Sequence, residues 1–283
     1  MNGLKILLAP KWEHAKDIKA VATVEAEYGV KVLEGSEVTL AHHTGEYKKH
    51  PAPCNNEFLP TITEGTIVIS HIDFDTVGGI MHLLGKKPFN PQFWSSVEFI
   101  DLNGPHHIRS LPTKHIEMIE AYWAWCFKER TAPKIKELTD VTKLVFRHIN
   151  AITRIMNGDK KLIEYGKIWS KNATEKVESC LRYEDDFIRA FVTENVFCSA
   201  SYYSVKQKRP VSVTVSFHAG RKEITIATCD GSVDCEKVAQ LLWGAEAGGR
   251  STIAGSPRGK AMNESDFYNA VNYLYTLNLL NVA

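Results

Sequence analysis

The sequence predicts a two-domain α/β protein with an N-terminal parallel sheet covered by helices, a helical connector and a smaller C-terminal α+β domain. Strand-like apolar runs alternate with a helix-like segment in the N-terminal part, which is typical of a parallel sheet. Apolar and aromatic residues at helical spacing fill the middle of the chain. Two alternating strand patterns and two helix patterns follow. The predicted ranges are 1–128, 129–190 and 191–283.

The composition limits the classes of function. The chain has 283 residues, 44% of them hydrophobic, and a net charge of +1, which suits two domains with real cores. Without a global positive field the chain is not expected to gather long nucleic acid, whereas a small anionic substrate held by a local patch fits. Its scattered cysteines argue against a disulfide framework and a cysteine zinc site. The lack of a cleavable signal and of a bilayer-length apolar run predicts a cytoplasmic protein without a membrane partner.

In the N-terminal domain, the clearest strand is Thr66–Ser70, a β-branched run that ends in polar residues. In parallel sheets, ligands bind beyond the carboxyl ends of the strands, so we expect the site just after Ser70 and just after Ile100. The predicted elements are strands at 4–8, 38–41, 66–70 and 97–100 and a helix at 77–84.

The remaining pattern is helical from about residue 113 to residue 190, including a continuous periodic stretch over 129–155. After that, two strands flank the turn His218–Arg221. The predicted C-terminal elements are strands at 211–217 and 223–228 and helices at 235–243 and 265–277.

The segment His71-Ile-Asp73-Phe-Asp75 places three potential ligands directly after the clearest strand. Alternate residues of an extended segment point the same way, so these side chains can converge on one ion. One imidazole and two carboxylates suit a manganese-like or magnesium-like ion. Gly78 and Gly79 allow a tight turn into a helix whose N-terminus faces a phosphate. The alternative is that Asp75 merely caps this helix, which explains one acidic residue but not three in alternation.

This motif, followed by glycine, resembles the first signature of the DHH phosphoesterase superfamily. That superfamily includes single-strand exonucleases, oligoribonucleases, cyclic-dinucleotide phosphodiesterases and manganese pyrophosphatases. The resemblance implies that His71, Asp73 and Asp75 bind metal. It also implies a metal-contacting aspartate at a later strand end, a place that Asp101 fits.

The family triplet Asp-His-His has two candidate counterparts, and the sequence leaves both open. His42-His43 follows Ala41, and His106-His107 follows Pro105, so neither pair has the preceding aspartate. The resemblance implies one histidine that binds metal and one that polarises the phosphate. The catalytic candidates are His42, His43, His106 and His107, and His106 is also a candidate metal ligand. A further family aspartate, expected after the pair, has no evident counterpart.

Residues 247–255, Ala-Gly-Gly-Arg-Ser-Thr-Ile-Ala-Gly, resemble the glycine-rich signature of the DHH-associated domain, Gly-Gly-Gly-His-x-x-Ala-Ala-Gly. Backbone amides of glycines can approach an anion closely, although a double glycine after a helix is also a common C-cap. Arg250 stands where the family has histidine, and its guanidinium can fork onto phosphate oxygens. The predicted substrate-binding residues are Gly248, Gly249, Arg250, Thr252 and Arg258.

Together these resemblances imply a metal-dependent phosphoesterase with Mn²⁺, or alternatively Mg²⁺, as its cofactor. The expected substrate is a small phosphorylated molecule: a nucleotide, a short oligonucleotide or a cyclic dinucleotide, held between the two domains. One alternative is a catalytically degenerate nucleotide-binding protein of the same fold, motivated by the missing triplet aspartate and by Arg250. Another is a metal hydrolase that acts on a different bond, which the glycine segment disfavours. A homodimer is left open.

Overall fold

The computed structural model describes residues 3–56, 59–129, 135–194, 199–257 and 259–282. Its chain forms two compact units, Met1–Gly104 with Leu111–Trp169, and Pro105–Ser110 with Ser170–Ala283. The first unit contains a mainly parallel sheet, helices fill the middle of the chain, and a separate sheet dominates the second unit. The predicted fold class is therefore confirmed, while the domain boundaries at 128 and 190 stay predictions.

Helices and short strands follow one another along the described parts of the chain. The α-helices are α1 (Trp12–Ala15), α2 (Phe74–Leu83), α3 (Pro91–Asn103), α4 (Thr113–Glu129), α5 (Thr142–Met156), α6 (Lys160–Ser179), α7 (Cys235–Trp243) and α8 (Glu264–Val282). The strands are β1 (Leu4–Leu8), β2 (Ala22–Val24), β3 (Glu27–Tyr28), β4 (Lys31–Val32), β5 (Val38–Leu40), β6 (Gly65–Ile69), β7 (Thr139–Asp140), β8 (Leu181–Glu184), β9 (Ile188–Thr193), β10 (Tyr203–Ser204), β11 (Arg209–Pro210), β12 (Val213–His218), β13 (Glu223–Thr228), β14 (Gly248–Arg250) and β15 (Ile253–Gly255). Short 3₁₀ helices span Gly45–Lys49, Pro53–Asn55, Pro105–Ser110 and Ser199–Tyr202.

The sheet of the first unit has the order β5-β2-β6-β1-β7. Strands β5, β2, β6 and β1 are parallel, and β7 pairs antiparallel with β1. At the carboxyl end of β2, Val24 is in register with Leu40 of β5 and with Ile69 of β6. Three neighbouring strands therefore end at the same level, which brings the residues that follow them to one edge of the sheet.

The predicted strand at 97–100 is wrong, because these residues lie in helix α3. This helix begins where the side chain of Asn90 accepts a hydrogen bond from the backbone N–H of Phe93 at 3.1 Å. A short apolar run is compatible with either a strand or a buried helix face, and here the spacing of the buried residues is helical. The buried residues of α3 are Phe93, Trp94, Ser96, Val97 and Ile100.

The helical pattern predicted over 129–155 is interrupted within the described residues. Thr139–Asp140 forms β7, and α5 begins only at Thr142. The Asp140 carboxylate accepts hydrogen bonds from the backbone N–H of Thr142 at 2.9 Å and from its hydroxyl at 2.6 Å. This local bonding holds the chain in a turn before the helix, as aspartate commonly does.

The helical pattern predicted up to residue 190 ends early, because β8 and β9 lie within it. Asp185 Oδ1 accepts hydrogen bonds from the backbone N–H groups of Phe187 and Ile188, both at 2.7 Å, and so closes the turn between the strands. Arg189 of β9 is fully buried, and its Nε lies 2.7 Å from Glu184 Oε2 of β8. Because Arg189 is charged yet buried, it hides the burial pattern of β9 from a sequence reading.

The second unit has a sheet of order β14-β15-β13-β12-β9-β8. Strands β9 and β12 are parallel, whereas the other neighbours are antiparallel. The predicted hairpin around His218–Arg221 and the two predicted helices are present as β12–β13, α7 and α8. Apolar residues of the strands pack with Val238 of α7 and Phe267 of α8 in one core.

Across the described parts of the chain, no helix has both the length and the apolar character that crossing a bilayer requires.

Candidate metal centre

The candidate site lies where β5, β2 and β6 end. His42 and His43 follow β5, Glu25 follows β2, and His71 follows β6. Imidazole nitrogens and carboxylate oxygens meet here in three groups, and within each group the atoms lie within 4.8 Å of one another. The groups are Glu25 with His42 and His43, Glu25 with His71 and Asp73, and His42 with Asp75 and Asp101.

Glu25 is the residue that links the first two groups. Its Oε1 lies 2.6 Å from Nε2 of His42 and 3.3 Å from Nε2 of His43, while its Oε2 lies 3.0 Å from Nε2 of His71. The residue is 1% exposed, and burial opposes its charge, but the contacts with the three imidazoles outweigh burial and hold the pKa of this carboxyl well below its usual range. Glu25 is therefore a buried anion.

The backbone of Glu25 has a φ of +52°, in the left-handed region. This conformation costs a residue with a side chain about 1–2 kcal/mol. A strained backbone conformation persists where surrounding contacts hold it in place, and such conformations are frequent at functional sites. Here the N–H of Glu25 donates to the carbonyl of Leu40 at 2.8 Å, and the Ser70 hydroxyl donates to the carbonyl of Glu25. Both neighbouring strands therefore hold this backbone in place.

His42 lies at the centre of the cluster. Its Nε2 lies 3.4 Å from Asp101 Oδ2 and 3.6 Å from Asp75 Oδ2, in addition to the contact with Glu25. Burial alone would lower the pKa of His42, but the Glu25 carboxylate outweighs it, and the pKa is raised. The side chain of His42 is 0% exposed, whereas that of His43 is 44% exposed. His43 is therefore the member of the pair that a molecule from solvent can reach.

Both ring nitrogens of His71 have hydrogen-bond partners. The Ser70 hydroxyl has one proton and donates it to the backbone carbonyl of Glu25. The hydroxyl oxygen of Ser70 therefore accepts from Nδ1–H of His71, at 2.8 Å. Nε2 is left facing the carboxylates, 3.1 Å from Asp73 Oδ2. Burial opposes a charge on this ring, but Asp73 and Glu25 raise the pKa of His71 to about 11.

Asp73 and Asp75 differ in their local structure. Asp73 is the N-cap of α2, since its Oδ1 accepts from the N–H of Thr76 at 2.8 Å. Asp75 lies in the first helical turn, is 1% exposed, and accepts from the N–H of Cys54 at 2.7 Å. The expectation of three ligands in one extended segment is therefore wrong for Asp75, and it is Asp73 that caps the helix. Even so, Oδ2 of Asp75 faces His42.

Two of the carboxyl groups have raised pKa values. Burial, with the charges of Glu25 and Asp73, raises the pKa of Asp75 well above its usual range. Burial and the same two charges raise the pKa of Asp101 to about 6. Burial is the larger cause of both shifts, and the crowding of four carboxylates adds to it because like charges disfavour one another.

The residues present fit a divalent cation. Several buried atoms of the cluster make no hydrogen bond of ordinary geometry within the described chain, although they lie close to one another as ion pairs: Glu25 Oε1 and Oε2, His42 Nε2, Asp75 Oδ2 and Asp101 Oδ2. Buried polar atoms without good hydrogen bonds are costly, and a metal ion bound to their lone pairs would reduce this cost. The donor set of carboxylate oxygens with imidazole nitrogens is suited to hard or borderline divalent ions.

The cluster combines His71, Asp73, Asp75 and Asp101 with the pair His42-His43. The other pair, His106-His107, lies in the 3₁₀ helix Pro105–Ser110 and belongs to the second unit. There the His106 ring packs on His107 at 4.2 Å and on Tyr202 at 4.9 Å between ring centroids. Burial and the neighbouring His107 lower the pKa of His106 to about 4. The roles assigned to the two pairs stay predictions.

The predicted glycine-rich loop is instead a hairpin at the edge of the second sheet, with Thr252 in its turn. A Cβ at Gly249 would lie 2.4 Å from the carbonyl oxygen of Ile253, so close strand approach requires glycine there. Gly248 and Gly249 line a cavity of about 590 Å³ whose wall also holds Glu223 and Glu246.

Two carboxylates make this cavity a poor place for a phosphate. Phosphate binding by Gly248, Gly249, Arg250 and Thr252 therefore stays a prediction. Arg258, also predicted to bind substrate, lies outside the described residues.

Sequence reasoning missed Glu25, because β2 is only three residues long and was not predicted. The signal was present as an acidic residue directly after the apolar triplet Ala22-Thr23-Val24. What the sequence lacked was the position of β2 between β5 and β6, which long-range pairing alone determines.

Comparison with solved structures identifies the fold. The pGpG-specific phosphodiesterase PggH from Vibrio cholerae is similar to this chain with a TM-score of 0.50 and 12% identity, over 95% of this chain and 88% of that one. The chain has a DHH-type fold. At this identity the likeness shows the DHH-type fold alone.

Two further structures are more distant from this DHH-type chain. An exopolyphosphatase-related protein from Bacteroides fragilis has a TM-score of 0.34 and 12% identity, over 86% of this chain and 65% of that one. An uncharacterized protein from Helicobacter pylori has a TM-score of 0.23 and 11% identity, over 71% of this chain and 58% of that one. Neither likeness carries an argument. No protein-family model and no curated protein matched the sequence.

Proposed function

We propose that this protein is a metal-dependent phosphoesterase whose centre is formed by Glu25, His42, His43, His71, Asp73, Asp75 and Asp101. The observation that carries the proposal is the convergence of carboxylate oxygens and imidazole nitrogens, several of them buried, at three adjacent strand ends. The DHH-type fold supports the same reaction class, since PggH is a phosphodiesterase.

A divalent cation would suit this chemistry. The four carboxylates of the cluster would repel an anionic phosphate, and the nearby imidazoles offset this charge only while they are protonated. A divalent ion held by these residues would offset the carboxylate charge, act as a Lewis acid on a phosphoryl oxygen and lower the pKa of a water ligand. Mn²⁺ is the proposed ion, because the site offers imidazole nitrogens as well as carboxylates, and Mg²⁺ is the alternative.

The protein's own residues have separable roles in this proposal. Glu25, His42, Asp75 and Asp101 are buried or nearly so and hold the ion, while Asp73 and His71 complete its surroundings. His43 is half-exposed, and contact with Glu25 raises its pKa, which favours the protonated ring. We assign to His43 a hydrogen bond to a phosphoryl oxygen, which stabilises charge as it develops there.

The proposed substrate is a linear dinucleotide or another short phosphodiester, such as a cyclic dinucleotide, and a nucleotide phosphomonoester is the alternative. PggH acts on the linear dinucleotide pGpG according to its name, which makes this molecule the first substrate to test. The net charge of +1 also favours a short anion over a long polymer.

A second candidate function is nucleotide binding without turnover. Ala41 stands where the family triplet has aspartate, and this departure favours a degenerate site. The position of Glu25 weakens that interpretation, because it supplies a buried carboxylate within 3.3 Å of both histidines of the pair.

The test is hydrolysis of pGpG, a cyclic dinucleotide and a nucleoside monophosphate by the full chain with Mn²⁺, with Mg²⁺ or with chelator. We expect turnover of at least one substrate with Mn²⁺, none with chelator, and none for Asp75→Asn. Asp17→Asn, which changes an exposed aspartate, serves as the matched control and should keep wild-type turnover. Metal-dependent binding of the substrates without product would support the second candidate. A wild-type chain that binds no divalent ion would contradict the proposed phosphoesterase.

A further inference from the structure

Glu27 binds the main chain of the two histidines whose side chains face Glu25. Its Oε2 accepts a hydrogen bond from the backbone N–H of His42 at 3.1 Å, and its Oε1 accepts one from the backbone N–H of His43, also at 3.1 Å. Oε2 also lies 3.3 Å from the backbone nitrogen of His43, which is a second, longer contact. Both oxygens of one carboxylate are thus used by two consecutive amides.

The segment that carries Glu27 is fastened to the histidine segment at a second point. Glu27–Tyr28 pairs with Lys31–Val32 as a small hairpin, which a hydrogen bond from Leu33 N–H to the Ala26 carbonyl closes at 2.9 Å. At the tip of the hairpin, the Thr44 hydroxyl donates to the carbonyl of Gly29 at 2.8 Å. The hairpin therefore fixes the chain from His42 to Thr44 along its length.

The histidine segment needs such support because β5, which precedes it, is an edge strand of the first sheet. An edge strand has a sheet neighbour on one side only, so the residues after it are less constrained than those after a central strand. An ionised acceptor binds an N–H group more strongly than a neutral one does. The Glu27 carboxylate supplies such an acceptor to both amides at once.

We propose that Glu27 is a positioning residue of the metal centre: it fixes the main chain of His42 and His43 so that both Nε2 atoms face Glu25. Glu25 contacts the two histidines through their rings, and Glu27 holds them through their backbone. This role rests on the metal-dependent function proposed above. Groups that orient metal ligands without touching the ion commonly change metal affinity when they are replaced.

The test is Glu27→Gln, which keeps the size of the side chain but places an NH₂ group against an amide N–H. The control is Glu34→Gln, since Glu34 is a nearby carboxylate that accepts from the Tyr47 hydroxyl at 2.9 Å and lies outside the cluster. Three quantities are compared in the full chain: hydrogen exchange at the His42 and His43 amides without metal, the Mn²⁺ dissociation constant by calorimetry, and the absorption spectrum of the Co²⁺-loaded protein, which reports imidazole ligation.

For Glu27→Gln we expect faster exchange at both amides, Mn²⁺ affinity lower by roughly 10–100-fold and a changed Co²⁺ spectrum, with Glu34→Gln like wild type. Faster exchange with unchanged affinity and spectrum would overturn the positioning role while leaving the proposed function intact. Wild-type protein that binds neither ion would overturn the proposed function and this role with it. Glu27→Ala, which introduces no donor, must give the same faster exchange, lower Mn²⁺ affinity and changed Co²⁺ spectrum. Failure of both Glu27 variants to fold without metal would instead make Glu27 a structural residue and overturn the positioning role.

Discussion

Oε1 of Glu25 lies 2.6 Å from Nε2 of His42, and both side chains are sealed from solvent. Glu25 follows β2 and His42 follows β5, so this contact joins the ends of two neighbouring strands. A buried carboxylate beside a buried imidazole is expensive unless a proton or a cation is shared between them. Removing the charge of Glu25 should therefore weaken the binding of a cation strongly.

Replacing Glu25 with glutamine should lower the affinity for Mn²⁺ by more than about 100-fold, a larger loss than replacement of an orienting residue gives. The substitution keeps the shape of the side chain but removes the anion that faces three imidazoles. Calorimetric titration of the full chain measures the effect, with Glu34→Gln as the control. Equal affinities for the two variants would show that Glu25 is not a ligand.

Binding of Mn²⁺ should release protons, and affinity should rise with pH between about 6 and 9. Without metal, His71 has a pKa of about 11 and is protonated at pH 7. Asp101 has a pKa of about 6 and is therefore partly protonated near pH 6. The ion competes with these protons, so raising the pH favours the bound state. Titrations in two buffers with different ionisation enthalpies measure the number released. Affinity that does not change with pH would contradict the assignment of both residues as ligands.

The two histidine pairs should respond differently to substitution. His42→Asn should weaken Mn²⁺ binding, since Nε2 of His42 faces Glu25, Asp75 and Asp101. His106→Asn should leave Mn²⁺ affinity unchanged, because His106 packs on His107 and Tyr202 in the second unit. Calorimetric titration of each variant with Mn²⁺ gives the two dissociation constants. A fall in affinity for His106→Asn as large as that for His42→Asn would restore the second pair as metal ligands.

Gly78→Ala should destabilise the protein by about 1–3 kcal/mol, as overpacking of a core commonly does. A Cβ at this position would lie 2.5 Å from Cβ of Cys54 and 2.8 Å from the ring of Trp94. Displacing Cys54 would also disturb its N–H bond to Asp75, so metal affinity should fall as well. Thermal unfolding measures the first effect and calorimetry the second.

The matched control is Gly248→Ala, where the nearest atom to the new Cβ would be a flexible carboxylate oxygen of Glu236 at 3.8 Å. Its melting temperature should stay close to that of the wild type. Equal losses for the two alanine variants would mean that the close approach of α2 to Cys54 is not what requires glycine.

Arg189→Met should destabilise the second unit by about 3–5 kcal/mol, the cost of breaking a buried ion pair from one side. The guanidinium is buried, contacts Glu178, and lies 2.7 Å from Glu184, a carboxylate that would be left without its cation. Arg221→Met is the control, since Arg221 is exposed and its contact with Glu223 is 3.4 Å. Chemical unfolding of both variants gives the comparison, and a loss no greater than that of the control would contradict a stabilising role.

The sequence by itself determined the part of the site that is local. His71, Asp73 and Asp75 were recognisable because a β-branched strand, a polar tip and a helix start follow one another within a few residues. Strands β12 and β13 and helices α7 and α8 of the second unit were predictable for a similar reason, since alternation, a tight turn and helical spacing are all short-range signals. The same kind of signal failed at residues 97–100, where three apolar residues and Glu98 fit either structure, so that Asp101 proved to lie on a helix.

Only the tertiary structure decided which distant residues join this local set. Glu25 and His42 reach the centre because β2 lies between β5 and β6. His42 belongs to one of the two histidine pairs between which sequence reasoning could not decide. Strand order and register depend on hydrogen bonds and core packing between segments far apart in the chain, and no local pattern encodes them. Short-range residue chemistry therefore specified one face of the metal centre, while long-range pairing of parallel strands supplied the other.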